Sequence, residues 1–235
     1  MIIESARLAV SQLFEAEFRH VFWKSIGLTI LLLAVAWIGL EALVSTFLTP
    51  LLGPWPWVAT ALVWLTGTGM FFGAIFLIAP VSAAFAGIFL DDVAAAVEAR
   101  HYPNDPPGEA MAIIPGIVLS AKFLLIVAAA NIVALLLVLL PGINFAIFFV
   151  VNAYLIGREY FQFAAMRFRS EADASRLRRD HGVMVFLAGL VVTGFMAVPI
   201  LNLATPIFAA ALMVHLHKKL SEREPYDREP ARAAA

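Results

Sequence analysis

The sequence predicts an all-α integral membrane protein with two long transmembrane helices, two half-spanning helical hairpins and amphipathic interfacial helices. Of its 235 residues, 62% are hydrophobic and 14% are charged, and the mean hydropathy is +0.90. Soluble domains carry about 25% charged residues. Two long runs also lack Asp, Glu, Lys, Arg and His: 35 residues between Lys122 and Arg158, and 33 residues between His181 and His215.

Several classes of chemistry have no support in the sequence. It contains no cysteine, and it lacks the Gly-x-x-x-x-Gly-Lys-Ser/Thr, Gly-x-Ser-x-Gly and His-Glu-x-x-His patterns. A disulfide framework, a phosphate-binding loop, a hydrolase nucleophile and a zinc-protease helix are therefore not predicted. We expect no enzyme activity, no cofactor, no metal site and no nucleic-acid partner.

The chain begins with a predicted interfacial helix. Apolar residues recur at steps of three and four from Ile2 to Phe14, with charged and polar residues between them. This periodicity is typical of an amphipathic helix that lies along the membrane surface.

Two spans are predicted at 21–47 and 57–79. They are separated by a segment, 50–57, with three prolines and two tryptophans, a composition typical of a turn at the membrane-water boundary. Gly69 and Gly73 in the second span are interpreted as a close helix-packing face. Pro80 is predicted to interrupt this helix, which then continues as an amphipathic segment to Tyr102.

The two hairpins are predicted at 111–157 and 183–216. Each turns at a Pro-x-x-Asn corner, 141–144 in the first and 199–202 in the second. One crossing needs about 20 residues, so neither run holds two full crossings and a turn. Paired broken helices indicate a transport site, although an ordinary helix cap in a short loop explains each corner equally well.

Basic residues predict the orientation. They precede the first span and follow the second, and none occurs in the turn at 50–57. The positive-inside rule then places both termini in the cytoplasm. We expect a single membrane domain over 1–220, followed by a flexible cytoplasmic tail over 221–235.

Polar groups at the ends of the apolar helices are the candidate functional residues. Arg19 and His20, at the start of the first span, form a candidate anion-binding site, although snorkelling of Arg19 to lipid headgroups is the simpler alternative. Intramembrane polar groups are functional candidates by default. The candidate pore-lining residues are Glu98, Arg100, Asn144, Arg158 and Asn202. Of these, Glu98 and Arg100 either line a vestibule or solvate a surface helix.

The remaining basic residues allow more than one interpretation. The run at 167–179 either gathers anions or anionic lipid, or is a solvated cytoplasmic helix. His215 and His217 lie two residues apart with no third ligand in view, so we interpret them as part of an interfacial flank.

Four motifs resemble those of the bacterial sulfate permease CysZ family, which is related to the etoposide-induced membrane proteins. They are Val-Glu-Ala-Arg at 97–100, Leu-Leu-Pro-Gly-Ile-Asn at 139–144, Arg-Glu-Tyr-Phe-Gln at 158–162 and Val-Pro-Ile-Leu-Asn-Leu at 198–203. Of the family's Gly-Leu/Ile-Arg-Arg/Lys anion motif, Arg19 matches, His20 matches in part and Glu17 replaces the glycine. The resemblance implies that Glu98 and Arg100 belong to a polar network at a pore entrance.

The resemblance also implies a function. It predicts a multi-pass homo-oligomer in the bacterial inner membrane that passes sulfate into the cytoplasm, by facilitated or ion-coupled uptake, for cysteine biosynthesis. The alternative is a non-transporting membrane scaffold or partner-binding protein, with the basic 167–179 helix as its docking surface.

Overall fold

The computed structural model describes residues 1–110 and 144–223, and these residues form helices and connecting turns without any strand. The chain divides into two compact units. The smaller unit is His20–Ile88, and the larger unit combines Met1–Arg19 with the chain from Phe89 onward. The predicted all-α class is confirmed.

Two long helices build the smaller unit. Helix α2 (Ala16–Leu43) continues through a π-helical turn (Val44–Leu48) into the short α3 (Thr49–Leu51). After a turn, α4 runs over Pro56–Ile88. Proline suits the first position of a helix because its missing N–H has no partner there in any case.

Both helices are long and apolar enough to cross a membrane. The 36-residue segment Ala16–Leu51 contains an 18-residue window with a mean hydropathy of 2.2, and the 20-residue segment Pro56–Ile75 contains one with a mean hydropathy of 1.6. A helix of about 20 residues covers the roughly 30 Å of hydrocarbon in a bilayer. Large apolar side chains such as Leu31 and Trp64 are exposed along them, as expected of lipid-facing surfaces.

The prediction that Pro80 interrupts the second span is wrong. Helix α4 continues past it to Ile88, and the helical path first breaks at Phe89. Proline removes one backbone hydrogen bond, but transmembrane helices tolerate this loss because neighbouring groups satisfy the freed carbonyl.

Buried hydroxyl groups join α2 to α4. The Ser82 hydroxyl donates to Thr29 Oγ1 at 3.0 Å, and the Thr29 hydroxyl donates to the Ser25 carbonyl at 2.8 Å. All three side chains are buried. Hydrocarbon supplies no alternative partner, so the Ser82–Thr29 hydrogen bond is a favourable link between the two helices.

The larger unit contains seven described helices. In chain order they are α1 (Ile2–Gln12), α5 (Leu90–His101), α6 (Asn144–Met166), α7 (Glu171–Asp180), α8 (Gly182–Met196), α9 (Pro199–Asn202) and α10 (Thr205–Ser221). The predicted second hairpin corresponds to α8, α9 and most of α10. The predicted first hairpin lies outside the described residues up to 143, and so does the tail from 224.

Helix α10 forms the core of the larger unit. It packs against α1, α5, α6 and α8, and it is buried along nearly its whole length. Its polar end is buried too: His215 Nδ1 lies 2.9 Å from the Tyr102 hydroxyl, and His215 Nε2 lies 3.1 Å from Gln12 Oε1. The interpretation of His215 and His217 as an interfacial flank is therefore wrong.

Helix α1 has the amphipathic character that its sequence predicts. Ser5, Ala9 and Gln12 are buried on the face that packs against α10. Ile3 and Val10 are exposed apolar residues. One face thus belongs to the protein core, and the other is free to enter a lipid surface.

Helices α6 and α8 meet at two glycines. A Cβ atom on Gly157 would lie 2.6 Å from the Val185 carbonyl oxygen, and one on Gly189 would overlap the Ala153 carbonyl oxygen. No larger residue fits at either position. By contrast, no described atom lies within 4 Å of the corresponding Cβ position at Gly69 or Gly73, the pair that the sequence predicts to pack closely.

Gly189→Ala should lower the thermal unfolding midpoint of the detergent-solubilised protein by several degrees. The added methyl group forces the α6 and α8 backbones apart, and overpacking of this kind costs about 1–3 kcal/mol or more. Gly194→Ala on the same helix is the matched control, because its Cβ position is open. Equal midpoints for the two variants would contradict the close contact.

Candidate functional site

Arg19 and His20 lie in the first two turns of α2, and both side chains are exposed. The Arg19 N–H donates to the Glu15 carbonyl at 3.0 Å, so the backbone here is already helical. Glu17, in the first turn of the same helix, is exposed as well. The guanidinium of Arg19 is thus accessible, with a carboxylate two residues away along the chain.

Glu98 lies in a buried ion-pair cluster, which we call the Glu98 clasp: Glu98, Arg167, Asp91 and the Gly108 N–H. Glu98 Oε1 accepts from Arg167 Nε at 2.8 Å, and Glu98 Oε2 accepts from the Gly108 N–H at 2.8 Å. Arg167 Nη1 pairs with Asp91. The Glu109 N–H donates to the Arg167 carbonyl at 2.8 Å. The clasp therefore fastens the segment after α5 to the end of α6.

The single guanidinium of the clasp is paired with two carboxylates. Burial opposes the charged form of Arg167, but hydrogen bonds and charge from Glu98 and Asp91 outweigh it and hold the Arg167 pKa above its ordinary value. The clasp leaves no room for a side chain at position 108, because a Cβ atom on Gly108 would lie 2.9 Å from Glu98 Oε1. The carboxylate of Glu98 is saturated by protein donors.

Arg100 stands outside the clasp. Its side chain is 69% exposed, and its Nε lies 3.9 Å from the Glu15 carboxylate. Residues two apart on an α-helix point about 200° away from each other. Of the predicted Glu98 and Arg100 pair, the structure brings only Glu98 into a buried polar network.

The structure describes the side chain of only one of the two corner asparagines. Asn202 ends α9, is half-exposed, and donates its backbone N–H to the Val198 carbonyl at 2.9 Å. Asn144 is the first residue of α6, but its side chain lies outside what the structure describes.

Arg158 lines a cavity of about 230 Å³ that we call the arginine pocket. Helix α6 contributes Tyr154 and Arg158, and the other lining residues are Arg178, Arg179, Gly182, Val185 and Phe186. No acidic residue occurs among the described lining residues. Since α7 and α8 meet at an angle of 88°, the last turn of α7 and the first turn of α8 border the same cavity.

Local sequence explains why α7 presents its arginines there. Ser170 caps the helix by accepting a hydrogen bond from the Asp173 N–H at 3.2 Å. Arg178 and Arg179 occupy the last turn, where cations interact favourably with the helix dipole.

The arginine pocket is not electrically balanced by its lining. The Nε atom of Arg178 is buried and has no hydrogen-bond partner among the described residues. Burial, followed by the neighbouring charge of Arg158, lowers the pKa of Arg178. The fold thus holds like charges together around an open space.

Glu41 is a further candidate that the sequence interpretation missed. It is the only acidic residue from 21 to 90, and it lies within the first apolar span. With Ser45, Thr66 and Thr68 it lines a cavity of about 550 Å³. A carboxylate inside an apolar span is itself the signal that could have identified it.

Most of the chain matches a known protein family. A family described as "Sulfate transporter CysZ/Etoposide-induced protein 2.4" matches residues 5–206. The chain belongs to this family. The match spans Arg19, the Glu98 clasp and the arginine pocket, and it confirms the resemblance found in the sequence. No curated protein matches the chain.

Arg167→Met should lower stability by about 3–5 kcal/mol, because it leaves Glu98 buried without its cation. The expected readout is a large fall in the thermal unfolding midpoint. Adding Glu98→Gln to this variant should recover part of the loss, since the unpaired charge is then removed. Arg100→Met, at an exposed position, should stay within about 0.5 kcal/mol of the wild type, and a similar loss there would contradict the assignment.

Proposed function

We propose that this protein is a sulfate permease that takes up sulfate across the bacterial inner membrane for cysteine biosynthesis. The observation that carries the proposal is membership, over residues 5–206, of a family whose description names a sulfate transporter. Two helices able to cross a bilayer support it. We further propose a multi-pass homo-oligomer, because the short predicted hairpins cannot cross the bilayer alone. The distribution of the basic residues supports cytoplasmic termini.

A sulfate pathway must offer hydrogen-bond donors. Moving an isolated charge into hydrocarbon costs tens of kcal/mol by Born solvation, so the protein has to replace the lost hydration. In the proposed pathway Arg19 and His20 attract the dianion at the first span, and Asn144 and Asn202 supply polar contacts at the corners. Their exposure supports this role for Arg19 and His20.

The other predicted residues have different roles in the proposal. Glu98 shapes the pathway from a distance, because its carboxylate is saturated within the clasp and would repel a dianion. Arg100 is an exposed cation that adds to the local potential. If uptake is ion-coupled, Glu41 is the carboxylate placed to bind the coupling cation or proton.

A membrane scaffold is the second candidate function. The family description also names an etoposide-induced protein, and Glu17 replaces the glycine of the anion motif. In this case the exposed arginines of α7 would form the docking surface, among them Arg176, whose side chain is 67% exposed.

Liposomes containing the purified protein should show saturable uptake of labelled sulfate above empty liposomes. Arg19→Ala should reduce uptake about tenfold, because a charge-assisted hydrogen bond contributes about 1.5–3 kcal/mol. Arg7→Ala is the matched control: it removes the same charge from an exposed position on α1 and should leave uptake unchanged.

The outcome separates the two candidate functions. Absence of uptake by well-folded, oriented protein, with and without an imposed ion gradient, would exclude the permease and favour the scaffold. Equal loss in Arg19→Ala and Arg7→Ala would show that surface charge in general, and not the start of the first span, drives uptake.

A further inference from the structure

The arginine pocket carries an inference that goes beyond the proposed function. Three guanidinium groups, from Arg158, Arg178 and Arg179, border one cavity whose described lining contains no carboxylate. Glu159 follows Arg158 in the sequence, but it is not among the lining residues. Elsewhere in the same unit, Glu98 and Asp91 neutralise the buried guanidinium of Arg167.

We propose that the arginine pocket is a binding site for a tetrahedral oxyanion, either free sulfate or phosphate or the phosphate group of an anionic lipid. Guanidinium groups match oxyanions in shape and charge, because their N–H donors form paired, charge-assisted hydrogen bonds. A bound anion also relieves the repulsion among the three cations. A scaffold could hold such an ion as well as a permease could.

A buried donor without a partner among the described residues supports an anionic ligand. The Nε–H of Arg178 is buried and has no acceptor among the described residues, which is unfavourable unless a ligand or water accepts it. The Tyr154 side chain, with its hydroxyl donor, is a second lining group. Gly182 begins the 15-residue helix α8, whose dipole adds positive potential at the same place.

The size of the cavity suits a small hydrated ion. At about 230 Å³ it is far larger than a single water site, since one water takes about 30 Å³ of the liquid. A tetrahedral oxyanion fits with part of its hydration shell. An extended nucleotide or peptide would have to lie mostly outside.

Helix packing positions the backbone that carries the three arginines. Arg158 follows Gly157, the residue through which α6 contacts α8. Arg178 and Arg179 precede the sharp bend between α7 and α8. The α6–α8 crossing and this bend therefore bring the three arginines to one cavity.

Equilibrium binding of labelled sulfate to the full chain tests the proposal. The protein is placed in nanodiscs of zwitterionic phosphatidylcholine in low-salt buffer, and its thermal unfolding midpoint is recorded with and without sulfate or phosphate. Sulfate should bind and raise the midpoint. Arg178→Gln and Arg158→Gln should each weaken binding about tenfold or more, and Arg179→Gln should weaken it about threefold or more.

Two comparisons distinguish ligand binding from a structural role. Arg176→Gln removes an exposed arginine of the same helix that pairs with Asp173, and it should leave binding unchanged. Without sulfate, the Arg158→Gln and Arg178→Gln proteins should be as stable as the wild type or more so, because they lose repulsion between like charges. Arg179 is exposed, so Arg179→Gln should fold in any case.

A lipid arm identifies the source of the oxyanion. The same proteins are compared in nanodiscs with and without anionic phosphatidylglycerol. Stabilisation by phosphatidylglycerol that is lost in Arg178→Gln and resists competition by sulfate would identify a headgroup, whereas binding in phosphatidylcholine alone would identify a free ion.

Two results would overturn the proposal. One is a wild-type protein that responds to neither sulfate, phosphate nor phosphatidylglycerol. The other is a response that persists undiminished in all three pocket variants. Binding is measured without flux. A negative binding result therefore does not contradict sulfate uptake, and absence of uptake does not contradict sulfate binding at the pocket.

Discussion

The contact between α6 and α8 at Gly157 and Gly189 is the constraint on which the larger unit depends. Lipid tails are as apolar as leucine, so helices in a bilayer associate through close packing of small residues and not through hydrophobic burial. Here the backbones approach until no Cβ atom fits. That approach brings Arg158 of α6 to the same cavity as the arginines that end α7.

Two groups of charged side chains in this unit differ in whether the protein itself neutralises their guanidinium groups. In the Glu98 clasp, one guanidinium lies between two carboxylates and its donors are used within the protein. In the arginine pocket, three guanidinium groups border an open cavity, and a buried donor has no partner among the described residues. In the clasp the protein itself supplies the counter-charges of the guanidinium, whereas the described lining of the arginine pocket supplies none.

The sequence predicted some features of this protein correctly and others wrongly. The hydropathy of the two spans predicted the membrane class, and four short motifs between residues 97 and 203 predicted the family. The predicted break at Pro80 was wrong, because membrane helices tolerate proline when neighbouring groups compensate for the hydrogen bond that it removes. The spacing of Gly69 and Gly73 predicted close packing, yet the observed close contact joins glycines 32 positions apart, Gly157 and Gly189. Spacing within one helix indicates a possible face but does not identify its partner.

The sequence by itself determined the properties that add up locally. A run of apolar residues long enough to cross hydrocarbon predicts a span whatever the rest of the chain does, and so the all-α membrane class followed directly. Only the tertiary structure decided which charges meet. Arg167 lies 69 positions from Glu98, and Arg178 lies 20 positions from Arg158. These pairings depend on how the helices cross, and helix crossing is set by packing between elements that no local pattern encodes.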